Sequence, residues 1–156
     1  MSGLRVFVAA AAGLALTSAP ASARQDDAAE AAEAAPDIAG NWMFEADLRQ
    51  ACSFGGQARL MPTDTPGTYD CELTARQHCP TIDTTYVVAQ SCTVSVEGED
   101  IMVRSRIETF LEGEPTAFYT PDSFQLRLDS PSLMSGLLLG ADIYEAEWRR
   151  ADGAIS

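Results

Sequence analysis

The sequence predicts an all-β fold, an eight-stranded antiparallel up-and-down barrel. Three observations support this. Residues 86–107 form two alternating runs around a short turn, further short runs of the same kind are separated by turn formers, and no segment has a convincing helical period. A series of short strands with short connections pairs antiparallel and closes most simply as a barrel, which leaves no exposed sheet edge.

The first three strands are expected at 41–48, 52–61 and 68–76. The first alternates Trp42 and Phe44 with outward residues, and the third separates an apolar face from an acidic one. Gly55-Gly56 in the second run predicts a bulge or a sharp bend.

The hairpin 86–107 supplies strands four and five, with the fifth ending at Ile107 or continuing to Leu111. Its inward face carries mainly apolar side chains, namely Tyr86, Val88, Cys92, Val94, Val96, Ile101, Val103 and Ile107. Gln90 and Ser105 fall on the same face. Buried polar groups need partners from the protein, from water or from a ligand.

The last three strands are expected at 124–129, Leu133–Leu139 and Ile143–Arg150, after turns marked by Pro121-Asp122, Ser130-Pro131 and Gly140-Ala141-Asp142. Trp42 lies in the first strand and Trp148 in the last, and these two strands must pair if the barrel closes.

The segments outside the barrel predict export. A basic residue, a short apolar run and Ala21-Ser22-Ala23 are typical of a secretory signal peptide, and the apolar run is shorter than the roughly 20 residues that span a bilayer. The expected organisation is a signal peptide at 1–23, a disordered acidic Ala/Glu-rich tether at 24–37, the barrel at 38–151 and a flexible tail at 152–156. The mature protein is therefore expected in the periplasm or secreted, without stable membrane insertion.

The four cysteines predict two disulfides, because an even set in a small exported domain is normally oxidised. Pairing strands two and three brings Cys52 near Cys79, and pairing strands three and four brings Cys71 opposite Cys92. We therefore predict Cys71–Cys92 and Cys52–Cys79. A shifted register would instead give Cys52–Cys71 with Cys79–Cys92.

Composition disfavours several functions. The chain has 10 basic residues, all of them Arg, against 23 acidic ones, so it lacks the clustered positive charge that nucleic-acid binding requires. His78 is the only histidine, and the sequence places no second catalytic group beside it. No spacing matches a zinc or calcium site, a phosphate-binding glycine loop or a nucleophile turn. We expect no metal, no cofactor and no catalytic residue.

Gly40-Asn41-Trp42 at the start of the first strand, with Arg149 and Arg150 in the last, resembles the calycin group of eight-stranded barrels. In lipocalins a Gly-x-Trp motif begins the barrel and an Arg from the final strand packs over that Trp. The resemblance implies these roles for Gly40, Trp42 and Arg149 or Arg150. Bacterial inhibitors of secreted metalloproteases look similar, since they combine export, Gly-x-Trp, a nearby Cys and an N-terminal arm.

Two functions follow as expectations. The first is a non-enzymatic binding protein for a small apolar ligand or a partner protein, with a pocket lined by Trp42, Tyr86, Gln90, Ser105 and Phe124. The second is a protease inhibitor that uses the arm or the barrel rim. A third possibility is an enzyme whose residues converge only in three dimensions. An interior cavity above roughly 300 Å³ would favour a ligand, and a filled interior with a projecting arm would favour a protein partner.

Overall fold

The computed structural model describes residues 35–49 and 52–151. The predicted signal peptide 1–23, residues 24–34 of the predicted tether and the tail 152–156 lie outside these residues. Within this part of the chain, no helix has the length and apolar character needed to cross a bilayer.

Eight strands form one closed antiparallel barrel in which each strand pairs with its neighbours in sequence. The strands are β1 Gly40–Asp47, β2 Ser53–Pro62, β3 Thr68–Cys79, β4 Thr84–Glu97, β5 Asp100–Glu112, β6 Ser123–Ser130, β7 Leu133–Leu139 and β8 Ile143–Arg150. A single 3₁₀ turn, Pro80–Ile82, connects β3 to β4. The predicted fold class is confirmed.

Closure of the barrel depends on the pairing of β1 with β8, which places Phe44 opposite Trp148 and Trp42 opposite Arg150. Alternate residues of every strand face inward, as period-two patterning requires. The inward side chains of Trp42, Phe124 and Trp148 are fully buried. Burial of such aromatic side chains supplies much of the apolar area that stabilises the core.

The central hairpin is confirmed as β4 and β5, paired with Val94 opposite Val103. Both strands are longer than the sequence suggests. The β4–β5 pairing contains register shifts between Val87 and Val88 and between Ala89 and Gln90. They lie in the part of the hairpin where β5 is not paired with β6. Four residues of β5, from Asp100 to Val103, pair with β6. The rest of β5, residues 104–112, therefore needs other contacts on that side.

Both predicted disulfides are confirmed. Cys71 is paired with Cys92 across the β3–β4 ladder, with 4.6 Å between their Cα atoms. Cys52 precedes β2 and is bonded to Cys79 at the end of β3, with 4.1 Å between Cα atoms. Disulfides are typical of an oxidising compartment, and each one restricts the unfolded chain.

Gly56 serves close packing rather than the predicted bulge. The pairing of β2 with β1 and with β3 passes through Gly55 and Gly56 without a register shift. A Cβ atom on Gly56 would lie 2.1 Å from the Thr74 carbonyl oxygen and 2.6 Å from the Phe44 ring. The absence of a side chain lets the aromatic core approach the β2 backbone.

Candidate functional site at the open end of the barrel

One end of the barrel is sealed around Trp42. Its indole Nε1 donates to the Ile38 carbonyl at 3.0 Å, and the Arg150 guanidinium lies over the ring, 4.6 Å from its centroid. Arg150 also donates through Nη1 to the Ala39 carbonyl at 2.6 Å and through Nε to the Pro131 carbonyl at 3.0 Å. We call this the closed end.

Of the two adjacent arginines, Arg150 is the one that lies over Trp42. Arg149 is on the outer face, where it pairs with Glu147 at 2.5 Å. Gly40 adopts a φ of 123°, and a Cβ atom there would lie 2.9 Å from Nη1 of Arg150. A glycine therefore suits both the backbone and the space beneath the guanidinium.

The middle of the barrel is filled by aromatic side chains. The Phe44 ring stacks on Trp148 with 5.2 Å between centroids, and Phe124 meets Trp148 edge-on at 5.0 Å. Nε1 of Trp148 is buried and has no hydrogen-bond partner among the described residues. This packed layer separates the closed end from the other end.

The opposite end, which we call the open end, contains a pocket of about 360 Å³. The buried side chains of Phe54 and Leu138 line it, as does the Cys52–Cys79 disulfide. Tyr86 from β4 and Tyr144 from β8 also line it. The volume is within the range of small-molecule sites.

The loop 113–122 packs against the part of β5 that does not pair with β6. It contributes Tyr119 and Asp122 to the pocket. Tyr119, Tyr86 and Phe110 pack edge-to-face, with centroid distances of 5.4 to 6.1 Å. Because β5 lacks a β6 partner at this level, these rings hold the loop against β4 and β5.

Asp122 fastens the end of this loop to the hairpin. Its Oδ2 accepts hydrogen bonds from the Tyr119 hydroxyl at 2.8 Å and from Nε2 of Gln90. Its backbone N–H donates to Oε1 of Gln90 at 3.0 Å, and its carbonyl oxygen accepts from Oγ of Ser105 at 2.6 Å. The two inward polar residues of the hairpin therefore have the same partner.

Asp122 is buried, with 5% of its surface exposed. Burial raises its pKa to about 6, although the hydrogen bonds from Tyr119 and Gln90 act in the opposite direction. Burial, together with the nearby Asp122 carboxylate, also raises the pKa of Tyr119. The site thus holds an acidic group whose ionised form is poorly solvated.

The predicted lining residues do not all meet at this pocket. Tyr86 lines it, and Gln90 and Ser105 support it through Asp122. Phe124 lies in the packed middle layer and Trp42 lies at the closed end, both fully buried.

Sequence reasoning missed Tyr119 and Asp122. Asp122 was assigned to a turn, where an Asp is expected to be solvated. A signal was present in the sequence, because the two inward polar residues Gln90 and Ser105 needed partners. The connection that follows the fifth strand contains Phe118, Tyr119 and Asp122.

His78, the only histidine of the sequence, does not line this pocket. Nδ1 of His78 lies 2.9 Å from the Thr85 hydroxyl. Among the described residues, no group of three or more His, Cys, Asp or Glu side chains is placed to hold a metal ion.

The fold defines an eight-stranded up-and-down β-barrel with one closed and one open end. The chain is similar in structure to a de novo designed fluorescence-activating β-barrel, with a TM-score of 0.55 and 15% sequence identity over 76% of this chain and 97% of the designed one. No family model matches the chain, and no curated protein matches it. The similarity therefore establishes the fold and leaves the calycin and inhibitor resemblances without a supporting family match.

Proposed function

We propose that this protein is a non-enzymatic binding protein that takes a small, mainly apolar ligand into the open end of its barrel. The observation that supports the proposal is the pocket of about 360 Å³ above a packed aromatic layer. The designed barrel contributes only the fold to this argument, so the proposal depends on the pocket itself.

The geometry around the pocket favours entry of a ligand from outside. Phe118 is 90% exposed and Ile82 is 69% exposed, and both side chains line the pocket. Large apolar side chains that stay in water beside a concave site commonly mark a binding surface. At the closed end, by contrast, Trp42 and Arg150 occupy the corresponding space.

Export completes the proposal. The two disulfides and the predicted signal peptide together favour a periplasmic or extracellular binding protein. The calycin resemblance of Gly40, Trp42 and Arg150 fits the same proposal, because Arg150 lies over the Trp42 ring as that resemblance implies.

The test is a titration of ¹⁵N-labelled protein with 1-octanol, followed by amide chemical shifts. We expect shifts concentrated at Tyr86, Phe118 and Leu138, with little change around Trp42. No shift at the open end up to millimolar 1-octanol would contradict the proposal.

A pair of matched variants separates the pocket from the outer wall. Thr120 is half-buried in the pocket wall, whereas Thr93 is exposed on β4. Thr120→Trp should fill the pocket and weaken 1-octanol binding at least tenfold, and Thr93→Trp should leave it unchanged. Equal effects of the two substitutions would show that 1-octanol binds elsewhere.

A further inference from the structure

We propose that the ligand is an apolar amine, whose ammonium group pairs with Asp122 while its apolar body fills the open-end pocket. This inference rests on the proposed binding function and specifies the chemical class of the ligand. Three features of the pocket support it: the hydrogen bonding of Asp122, the lack of basic lining residues, and the aromatic wall.

The first feature is an acceptor that the protein leaves unused. Both side-chain hydrogen bonds to Asp122 end on Oδ2, from Tyr119 and from Gln90. Within the described residues Oδ1 accepts none, although the side chain is almost fully buried and lines the pocket. A carboxylate can accept about four hydrogen bonds, so one oxygen remains for a donor that enters the pocket.

The second feature is the absence of a protein counter-charge. None of the described residues that line the pocket is basic. Arg49 places its guanidinium 5.7 Å from the centroid of Tyr144 at the rim, but it does not line the pocket. Because a buried carboxylate without a cation is costly, a ligand that carries a cation offsets this cost.

The third feature is the aromatic wall around the carboxylate. Tyr86, Phe118, Tyr119 and Tyr144 all border the pocket. Tyr86 and Tyr119 have centroids 5.4 Å apart and meet edge-to-face, and Tyr119 donates to Asp122 itself. Aromatic faces attract ammonium groups, and enclosures of such rings recognise amines. Neutral alcohols use the apolar wall equally well but gain less from the rings and from the charge.

The volume limits the size of the ligand. At roughly 30 Å³ for each heavy atom, the share of a water molecule in the liquid, the pocket of about 360 Å³ accommodates about a dozen heavy atoms. Octylamine, with its ammonium group and eight-carbon chain, is within this limit and is soluble enough for calorimetry.

The experiment compares octylamine, 1-octanol and octanoate by isothermal titration calorimetry on the full mature chain at pH 7.5. The three compounds share one apolar chain and differ in the charge of the head group. We expect octylamine to bind at least tenfold more tightly than 1-octanol, and octanoate to bind most weakly. Equal affinities for octylamine and 1-octanol would overturn the inference and leave the binding function intact. No binding by any of the three would overturn both.

Two variants assign the preference to Asp122. Asp122→Asn keeps the shape and the acceptor for Tyr119 and Gln90 but removes the charge, so octylamine and 1-octanol should then bind with similar affinity. Tyr119→Phe removes one hydrogen bond and keeps the carboxylate, so the amine preference should persist. If Asp122→Asn retained the full preference, the inference would be wrong. Circular dichroism reports whether each variant folds. The comparison of octylamine with 1-octanol on the wild-type protein tests the inference even if a variant does not fold.

Discussion

The two ends of the barrel are built from the same strands but treat polar groups in opposite ways. At the closed end, Trp42 and Arg150 direct their N–H groups to backbone carbonyls of Ile38, Ala39 and Pro131. At the open end Asp122 is buried, and among the described residues its Oδ1 accepts no hydrogen bond and no basic side chain lines the pocket. The N–H groups of the closed end are therefore paired within the chain, whereas under the proposed function the Asp122 carboxylate at the open end pairs with a ligand.

The apolar surface differs in the same way. The ring of Trp42 is fully buried, whereas Phe118 and Ile82 remain exposed at the open end. Since removal of apolar area from water is the main stabilising contribution to a fold, exposed side chains at the rim contribute little to stability. Under the proposed function, the closed end serves stability and the open end serves recognition.

The comparison is tested most strongly by removing one large side chain from each end. Trp42→Ala should lower the free energy of unfolding by about 3–5 kcal/mol, because a fully buried aromatic ring leaves a cavity and lost contacts. Phe118→Ala should change it by less than about 0.5 kcal/mol, because the ring is exposed. Urea unfolding followed by circular dichroism measures both. A loss in Phe118→Ala as large as in Trp42→Ala would remove the distinction between the ends.

The architecture could be predicted because its determinants are local. Period-two alternation marks each strand independently of tertiary context, and short connections impose antiparallel neighbours. The disulfide pairing followed from the register of β3 against its two neighbours, since Cys71 and Cys92 fall on inward faces at the same level. Such patterns can be recognised in the sequence without knowledge of the folded structure.

The site could be predicted only in part, because its position depends on contacts between distant segments. The sequence shows that Gln90 and Ser105 face inward, but it does not show that one residue, Asp122, satisfies both. Nor does alternation reveal depth along the barrel axis. Trp42 and Phe124 share the inward direction of Tyr86, yet they lie at the closed end and in the middle layer.

The buried carboxyl group makes the open end sensitive to pH. The folded pKa of Asp122 is about 6 against an ordinary value of 3.8, so protonation favours the folded state. Its contribution to stability is fully present below about pH 3.8 and is lost as the pH rises through about 6. At 1.36 kcal/mol for each pKa unit, the change amounts to roughly 3 kcal/mol. Among the described residues, the other ionisable side chains that line the pocket are those of Tyr86, Tyr119 and Tyr144.

The free energy of unfolding of the wild type, measured relative to Asp122→Asn, should therefore fall between pH 4 and pH 7. The variant has no titrating group at this position, so the difference between the two proteins isolates Asp122 from the many surface carboxylates. Urea unfolding at several pH values measures it. A difference that stays constant with pH would mean that Asp122 is not held in a poorly solvated site, and it would weaken the contrast with the closed end.

The smallest expected effect concerns the arginine at the closed end. Arg150→Lys keeps the positive charge but loses the planar guanidinium that lies over Trp42 and bonds several carbonyls. An ammonium group cannot reproduce this geometry, so we expect a loss of about 1–2 kcal/mol in the free energy of unfolding. Arg149→Lys is the matched control: its side chain is 66% exposed and pairs with Glu147 on the surface, where ion pairs contribute about 0–1 kcal/mol.

Thermal unfolding of both variants measures the difference, and 1-octanol binding should be unchanged in each, because neither residue lines the open-end pocket. Equal losses in the two variants would show that the contacts of Arg150 with Trp42 do not seal the closed end.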